Sequence, residues 1–433
     1  MAISQNFSST RPSLNLNFAR SKTLDPRITF SRSQTGNEVT FVDESGIIRY
    51  VSADEPRFDH DPETNECMGL LIEQSSTNLC FYGTTIQNFT ARNSATLTAN
   101  AATAPDGTTT ATRLQSSGSG TGYYDDGTGK TYTSGKTYTF SCFFKANGTD
   151  EAVILLYDGS GGKWTGSDGT SNVVGKFDLT NGTTIDQDTG GGSATRNPSG
   201  GAKIESYPND WYRCSITETC SSTHTQIHQH IRSTGDNGDI YAWGYQIEEC
   251  SYASSLIITT TNSTVSRTKE VAKIDGTNFS DFYNPSESSI YVRFNIKGLF
   301  GTGGFNRLYE ISDGTSNNKT ATLLQGDNIN IYELFLIAGT NNLNFNNSSI
   351  TFGDFYQVVA GFGTSYQRYA YNASGNLDSN TDTSIGISTF SPTQLNIGSE
   401  ASSSNRQLNG YLSQLVYYPT KLTDDQLQNL ILQ

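Results

Sequence analysis

Between Lys136 and Lys145 the chain alternates: Tyr138, Phe140, Cys142 and Phe144 fall on one side of an extended backbone, and Thr137, Thr139 and Ser141 fall on the other. The same period of two recurs far downstream, where Ile290, Val292, Phe294 and Ile296 face one way and Tyr291, Arg293, Asn295 and Lys297 the other. Each pattern predicts a strand with one face in a core. The run from Glu151 through Tyr157 is apolar without alternation and fits a central strand, and residues 238–249 carry the pattern of a strand that would close the same sheet. Further strands are predicted near residues 308–312, 330–338, 354–362, 393–399 and 410–418.

Helical periodicity is convincing only at the end of the chain. Thr423 is placed to cap a helix with Gln426 completing a capping box, Asp424 and Asp425 match the dipole in the first turn, and Leu422 with Leu427 makes a hydrophobic staple. Leu427, Leu430 and Ile431 then form one apolar stripe, which predicts a short helix docked on the last sandwich.

The spacing of strands and turns divides the chain into three. Residues 1–82 carry short polar strands that cannot close a core alone and need a neighbour, a sister chain or a larger particle. Residues 83–265 read as a β-sandwich interrupted by Gly/Ser/Thr-rich loops at 116–122, 158–172 and 188–201. The stretch 259–275 is polar and aperiodic and reads as a linker, and residues 266–433 read as a second sandwich. The expected class is all-β: two sandwiches after a small β-rich segment, with one short C-terminal helix.

Composition supports this. Only 16% of residues are charged, yet 11% are aromatic, a load that disordered chains lack. The 28 Lys and Arg against 42 Asp and Glu give a formal charge of −14, which argues against nucleic acid as a partner. Neither a signal-peptide pattern at the start nor an apolar run of membrane-spanning length is found, so synthesis in a cytoplasm without membrane insertion is expected. The six cysteines form no CxxC pair, and buried free thiols are expected in preference to disulfides or a metal site.

Clustered short matches tie the first block to a known group. Leu24-Asp25-Pro26-Arg27-Ile28-Thr29-Phe30, then Glu55-Pro56-Arg57-Phe58-Asp59-His60-Asp61-Pro62, then Gly69-Leu70-Leu71-Ile72-Glu73 and Thr77-Asn78-Leu79 resemble a segment at the front of tailed-bacteriophage virion proteins, particularly those of cyanophages. The second block resembles the carbohydrate-binding-module-like jelly roll that follows this segment, through Ala104-Pro105-Asp106-Gly107-Thr108, residues 135–141, Trp211-Tyr212-Arg213 and residues 241–248. The third is similar to concanavalin-A-like, laminin-G-like sandwiches through residues 310–314, Gly410-Tyr411-Leu412 and the Leu422-Thr423-Asp424 helix start. The resemblance implies a virion structural protein, a short fibre, spike or decoration. Residues 1–82 would dock it to other virion proteins, a homotrimer would be its usual assembly, and its sandwiches would meet host-surface glycans. Two alternatives stand beside this: a purely architectural capsid decoration, and a polysaccharide depolymerase.

Candidate sites follow. Trp164 lies in a Gly-rich loop outside any strand pattern, where an indole serves either as a sugar-stacking platform or as an anchor tucked onto the sandwich. Tyr157, Tyr123 and Tyr124 are its expected companions in a carbohydrate site. Trp211 and Trp243 read as core. His224, His228 and His230 would share one strand face, suiting either a metal or a polar subunit contact. Glu310 and Asp313 are spaced by three, which puts them on opposite faces of a strand and unsuits them as a hydrolytic pair, so Asp313 reads as part of an Asp-Gly turn. Asp106 reads the same way. No catalytic residue, metal site or cofactor is assigned, and the chain is expected not to be an enzyme.

Overall fold

A computed structural model describes residues 10–33, 39–117, 122–158, 162–167, 172–187, 195–226, 229–234, 237–299, 305–325, 330–337, 340–363, 366–372, 377–382, 391–402 and 406–432. Strands dominate, arranged as two sandwiches, as expected. In the first, a six-stranded sheet runs in the order Ala202–Tyr207, Trp211–Thr219, Thr137–Ala146, Asp239–Glu248, Ala111–Ser116, Ala95–Ala102. Its partner orders Thr183–Ile185, Asn172–Asp178, Glu151–Leu156, Gln229–Ser233, Tyr123–Asp125 and Thr90–Arg92. Tyr138, Phe140, Cys142 and Phe144, the alternating set, meet Ile154, Leu156, Phe177 and Ile231 of the other sheet in one buried core. All six cysteines are free thiols, five of them buried.

The second sandwich packs an eight-stranded sheet on a seven-stranded one, and Ile290, Val292, Phe294 and Ile296 lie in its core. The terminal helix, Asp424–Ile431, has its full capping box: Gln426 N–H donates to the Thr423 hydroxyl at 3.4 Å, and Thr423 N–H donates to Gln426 Oε1 at 3.0 Å. Leu422, Leu427 and Ile431 are buried against Tyr291, Val359, Val416 and Tyr418 of the eight-stranded sheet.

The first block is not a separate body. One edge of the strand Gly410–Tyr418 is shared by two of its strands: Leu14–Asn17 pairs with residues 414–417, and Leu70 to Ile72 pair with residues 410–412. Phe58–His60 extends that sheet, while Thr29–Ser31 adds to the opposite sheet through Val271–Asp275. The hairpin Val39–Val42 and Ile48–Val51 lies over the back of the six-stranded sheet, where Ile48 packs with Phe143, Trp211, Trp243 and Leu256. Its short strands thus obtain their burial from both sandwiches.

The stretch read as a linker is a seam. Val265–Arg267 pairs with Ser76–Asn78, and Arg267 and Glu270 are fully buried. They join Arg32, Arg57 and Glu73 in an ionic cluster in which every charged side chain is at 0 % exposure. Burial by itself would raise the Glu73 carboxyl, but Arg267 and Arg57 outweigh it and hold the group well below the usual carboxylate range.

Candidate functional site

Of the four aromatic residues expected to form a carbohydrate site, the fold buries Trp164 and Tyr124. Trp164 is only 1 % exposed. It bridges to Cys220, donates its indole N–H to Gln226 Oε1 at 3.1 Å, and packs edge-on against Tyr132 and Phe140 with centroids at 4.9 and 5.8 Å. The expectation of an exposed platform is therefore corrected: in a loop poor in other apolar groups, the one large ring goes to the core, where burial stabilises it most. Tyr124 is buried too, its hydroxyl donating to the Gln115 carbonyl at 2.5 Å with the Thr96 carbonyl also 3.1 Å away. Tyr123 and Tyr124 are consecutive in one strand, so the period of two sends one in and one out. Tyr157, just past the end of Glu151–Leu156, is 44 % exposed.

Tyr123 therefore points away from the core, and its neighbours define a face. The ring stacks on His230 with centroids 4.1 Å apart and planes at 21°. Across the strands, His230 pairs with Leu155 and Arg232 with Val153, and alternation puts these four on the side opposite Ile154 and Ile231. Val153, Leu155 and Val174 form a small apolar cluster there. Asp125 accepts from Arg92 Nε at 3.2 Å and lies 3.9 Å from His230 Nε2.

Arg232 has no such partner. It is half-buried, its Nε lacks an acceptor, and it forms no ion pair among the described residues. Burial alone pulls its guanidinium below the ordinary value. Four of the five buried arginines among the described residues are treated differently: Arg32, Arg57, Arg267 and Arg307 each sit on a carboxylate. Sequence reading missed Arg232, although its alternation with Ile231 in a strand beside His230 was a signal available for it.

The histidines are divided. His224 lies in His224–Gln226, paired with Lys130–Tyr132, and its ring packs on Trp164 at 5.1 Å, whereas His230 belongs to the Tyr123 sheet. The shared strand face expected for the three is corrected on this point, and His228 lies outside the described residues. Among the described residues no group of three or more His, Cys, Asp or Glu is placed to hold a metal.

Glu310 is fully buried between Arg307 and Lys319 at 3.5 and 3.6 Å, and burial raises its carboxyl against their influence. Asp313 follows the strand Phe305–Ser312 and accepts from Thr315 N–H and Oγ at 2.9 and 2.6 Å, so it does build the turn. Asp106 likewise accepts from Thr108 N–H at 2.9 Å, beside Gly107 at φ +82°. Trp211 and Trp243 are core residues, as read.

Comparison with known proteins adds partial likenesses. No model of a known protein family matches the chain, and no curated protein matches it. Solved structures similar over part of the chain include the NanB sialidase of Streptococcus pneumoniae, at 15% identity over 36% of this chain and 26% of that one, with a TM-score of 0.30. A sialidase carbohydrate-binding module (CBM40) of Ruminococcus gnavus bound to α2,3-sialyllactose matches at 11% identity over 36% of this chain and 86% of that one, TM-score 0.29. Tailspike protein 2 of an Escherichia coli O157:H7 bacteriophage matches at 13% identity over 34% of this chain and 22% of that one, TM-score 0.29. The match thus takes in about a quarter of the sialidase's length, and at this degree of likeness each activity belongs to the protein named. The expectation of a plain non-enzyme is nonetheless corrected. The similar structures include a sialidase and an enzymatically active tailspike domain, so that assignment does not stand.

Proposed function

We propose that this chain is a surface protein of a tailed-phage particle and that its first sandwich holds acidic glycans on the face carrying Tyr123, His230 and Arg232. The particle assignment is supported by the four clustered matches within residues 24–79. The glycan assignment is carried by one observation: Arg232 is a half-buried cation that forms no ion pair among the described residues, whereas Arg32, Arg57, Arg267 and Arg307 each meet a carboxylate. A sugar carboxylate is the partner that a planar guanidinium accepts with two parallel hydrogen bonds. Tyr123 stacks on His230 beside it, and Tyr157 is an exposed aromatic, suited to stacking on a sugar ring, at the end of a neighbouring strand.

The formal charge of −14 does not oppose this strongly, because at physiological ionic strength charges more than about 8 Å away are largely screened. Each site is weak on its own, and a homotrimer would multiply it through effective concentration. The test compares wild type with Arg232→Gln on acidic and neutral oligosaccharides by calorimetry. A loss of about tenfold or more for the acidic sugars alone, about 1.4 kcal/mol, supports the reading. Equal binding of neutral sugars, undiminished in the variant, overturns it.

A further inference from the structure

The back of the six-stranded sheet holds a second place where cations lack partners. A cleft of about 570 Å³ opens there, where the first block, the first sandwich and the second sandwich meet. That volume lies in the ~300–1,000 Å³ range of small-molecule pockets. Arg213, which alternates with the core residues Cys214 and Ile216, lines it from the first sandwich. It is 3 % exposed, yet it forms no ion pair among the described residues. Its Nη2 donates to Ser141 Oγ at 3.2 Å, its guanidinium lies 5.5 Å from the Phe143 ring, and its Nε has no acceptor. Arg213 is thus the one buried arginine among the described residues without a carboxylate.

The second sandwich brings another cation to the same cleft. Lys297 forms no ion pair among the described residues and reaches only the Tyr411 hydroxyl, at 3.4 Å. The first block supplies acceptors. Asp59 takes hydrogen bonds from Val42 N–H at 2.5 Å and the Tyr411 hydroxyl at 2.8 Å, which leaves lone pairs on both oxygens. His60 sits beside it with Nδ1 held at 3.0 Å from the Val42 carbonyl. That contact makes Nδ1 the donor, so in the neutral ring Nε2 is an acceptor, and it has no partner among the described residues. The Tyr252 hydroxyl in the same lining also has none. Phe143, Tyr207 and Ile204 give the cleft apolar wall.

Arg213 and Lys297 form no ion pair among the described residues, although Asp59, Asp61, Glu63 and Glu205 line the same cleft, so their donors remain open to an anion; the carboxylate and imidazole acceptors suit hydroxyl protons, and the aromatic wall suits a ring. We propose that this cleft binds a sugar acid of about one ring, its carboxylate toward Arg213 and Lys297 and its hydroxyls toward Asp59 and His60. The ligand would bridge the two sandwiches and the first block. This site does not rest on the Arg232 face: it shares no residue with it and lies on the opposite face of the first sandwich.

The experiment therefore uses full-length Arg232→Gln protein, in which the sheet face is disabled. Calorimetric titration with D-galacturonate is compared with D-galactose, which lacks the carboxylate, and with lactate, which lacks the ring. One galacturonate per chain is expected, with the other two probes at least about tenfold weaker. Adding Lys297→Gln should weaken galacturonate at least about tenfold. Lys297 is half-buried and unpaired, so this variant should keep its melting temperature, whereas Arg213→Gln can disturb the fold. No saturation by galacturonate at ~10 mM, equal binding of galactose, or full affinity in a folded Lys297→Gln protein overturns the proposal. Binding by wild type that disappears in Arg232→Gln leaves the sheet-face reading standing and removes this one.

Discussion

Arg57 and Glu270, separated by 213 positions in the chain, meet side by side in the interior: Arg57 Nε lies 2.7 Å from Glu270 Oε1 and Nη2 lies 2.7 Å from Oε2. Neither side chain is exposed. Arg57 also reaches Glu73 Oε2 at 2.9 Å, and Arg32 reaches Glu270 at 3.1 Å, so the pair locks the first block to the strand that opens the second sandwich. Breaking such a pair leaves one charge buried without compensation, which costs about 3–5 kcal/mol. Glu270→Gln and Arg57→Met should each lower the unfolding free energy obtained from urea titration by that much, and the double variant should cost less than their sum. Strictly additive losses would mean the two act independently.

Removal of residues 1–82 should be worse than either. It strips both strands from one edge of Gly410–Tyr418 and leaves Glu270 without Arg57 and Arg32. The expected product is aggregated, because a long bare edge invites pairing with other chains. A monodisperse truncated protein in size-exclusion chromatography would contradict this.

The cluster also sets an acid limit. Burial raises Glu73, but Arg267 and Arg57 more than reverse it, so its folded value is depressed. A depressed carboxylate contributes stability that is fully present above the unfolded pKa of about 4.3 and is lost as pH falls toward the folded value. Denaturant midpoints should therefore be flat from neutral pH down to about 5 and fall below about 4. Glu73→Gln should be less stable than wild type at neutral pH, with the gap closing as pH is lowered. A gap independent of pH would remove Glu73 from the acid limb.

Trp164 is a stability residue in this fold. Its replacement by Ala should cost about 3–5 kcal/mol through the cavity it leaves among Tyr132, Tyr138 and Phe140. Tyr157→Ala, at an exposed position, should stay within about 0.5 kcal/mol. Thermal melts of the two variants check the contrast.

What the sequence reveals is what periodicity encodes. The alternation at Tyr138 to Phe144 and at Ile290 to Ile296, and the Thr423 capping box, each appear in the fold where the pattern places them. Arg267 and Glu270 read as linker because a buried ion pair has the same hydropathy as a solvated one, and its partners Arg57 and Glu73 lie some 200 positions away. Trp164 misled for a related reason: Gly-rich flanks describe the backbone's freedom, not the destination of the one ring it carries. Arg232 and Arg213 stand out only by forming no ion pair among the described residues, which no spacing encodes.

Gly69, the first residue of the Gly69-Leu70-Leu71-Ile72-Glu73 match, shows why that position is glycine. Its φ is +115°, a region side chains avoid, and a Cβ there would lie 2.3 Å from the Leu412 carbonyl oxygen and 2.7 Å from Ser413 Cα. Those obstacles are backbone of the strand Gly410–Tyr418, which is pinned on its other edge by Ser288–Ile296 and cannot move aside without breaking that pairing. The close approach lets Leu70 pair with Leu412, and on the other edge of the same strand a bulge shifts the register between Asp59, opposite Gly69, and His60, opposite Cys67. Gly69→Ala should therefore cost more than about 1 kcal/mol, from backbone strain and from steric overlap together. Because the same bulge positions Asp59 and His60 at the cleft, the variant should also weaken galacturonate binding in whatever fraction stays folded. Hydrogen exchange localises the effect: faster exchange at residues 58–72 and 410–413 is expected, with residues 137–146 of the first sandwich unchanged, and a uniform change across both sandwiches would refute a local role for Gly69.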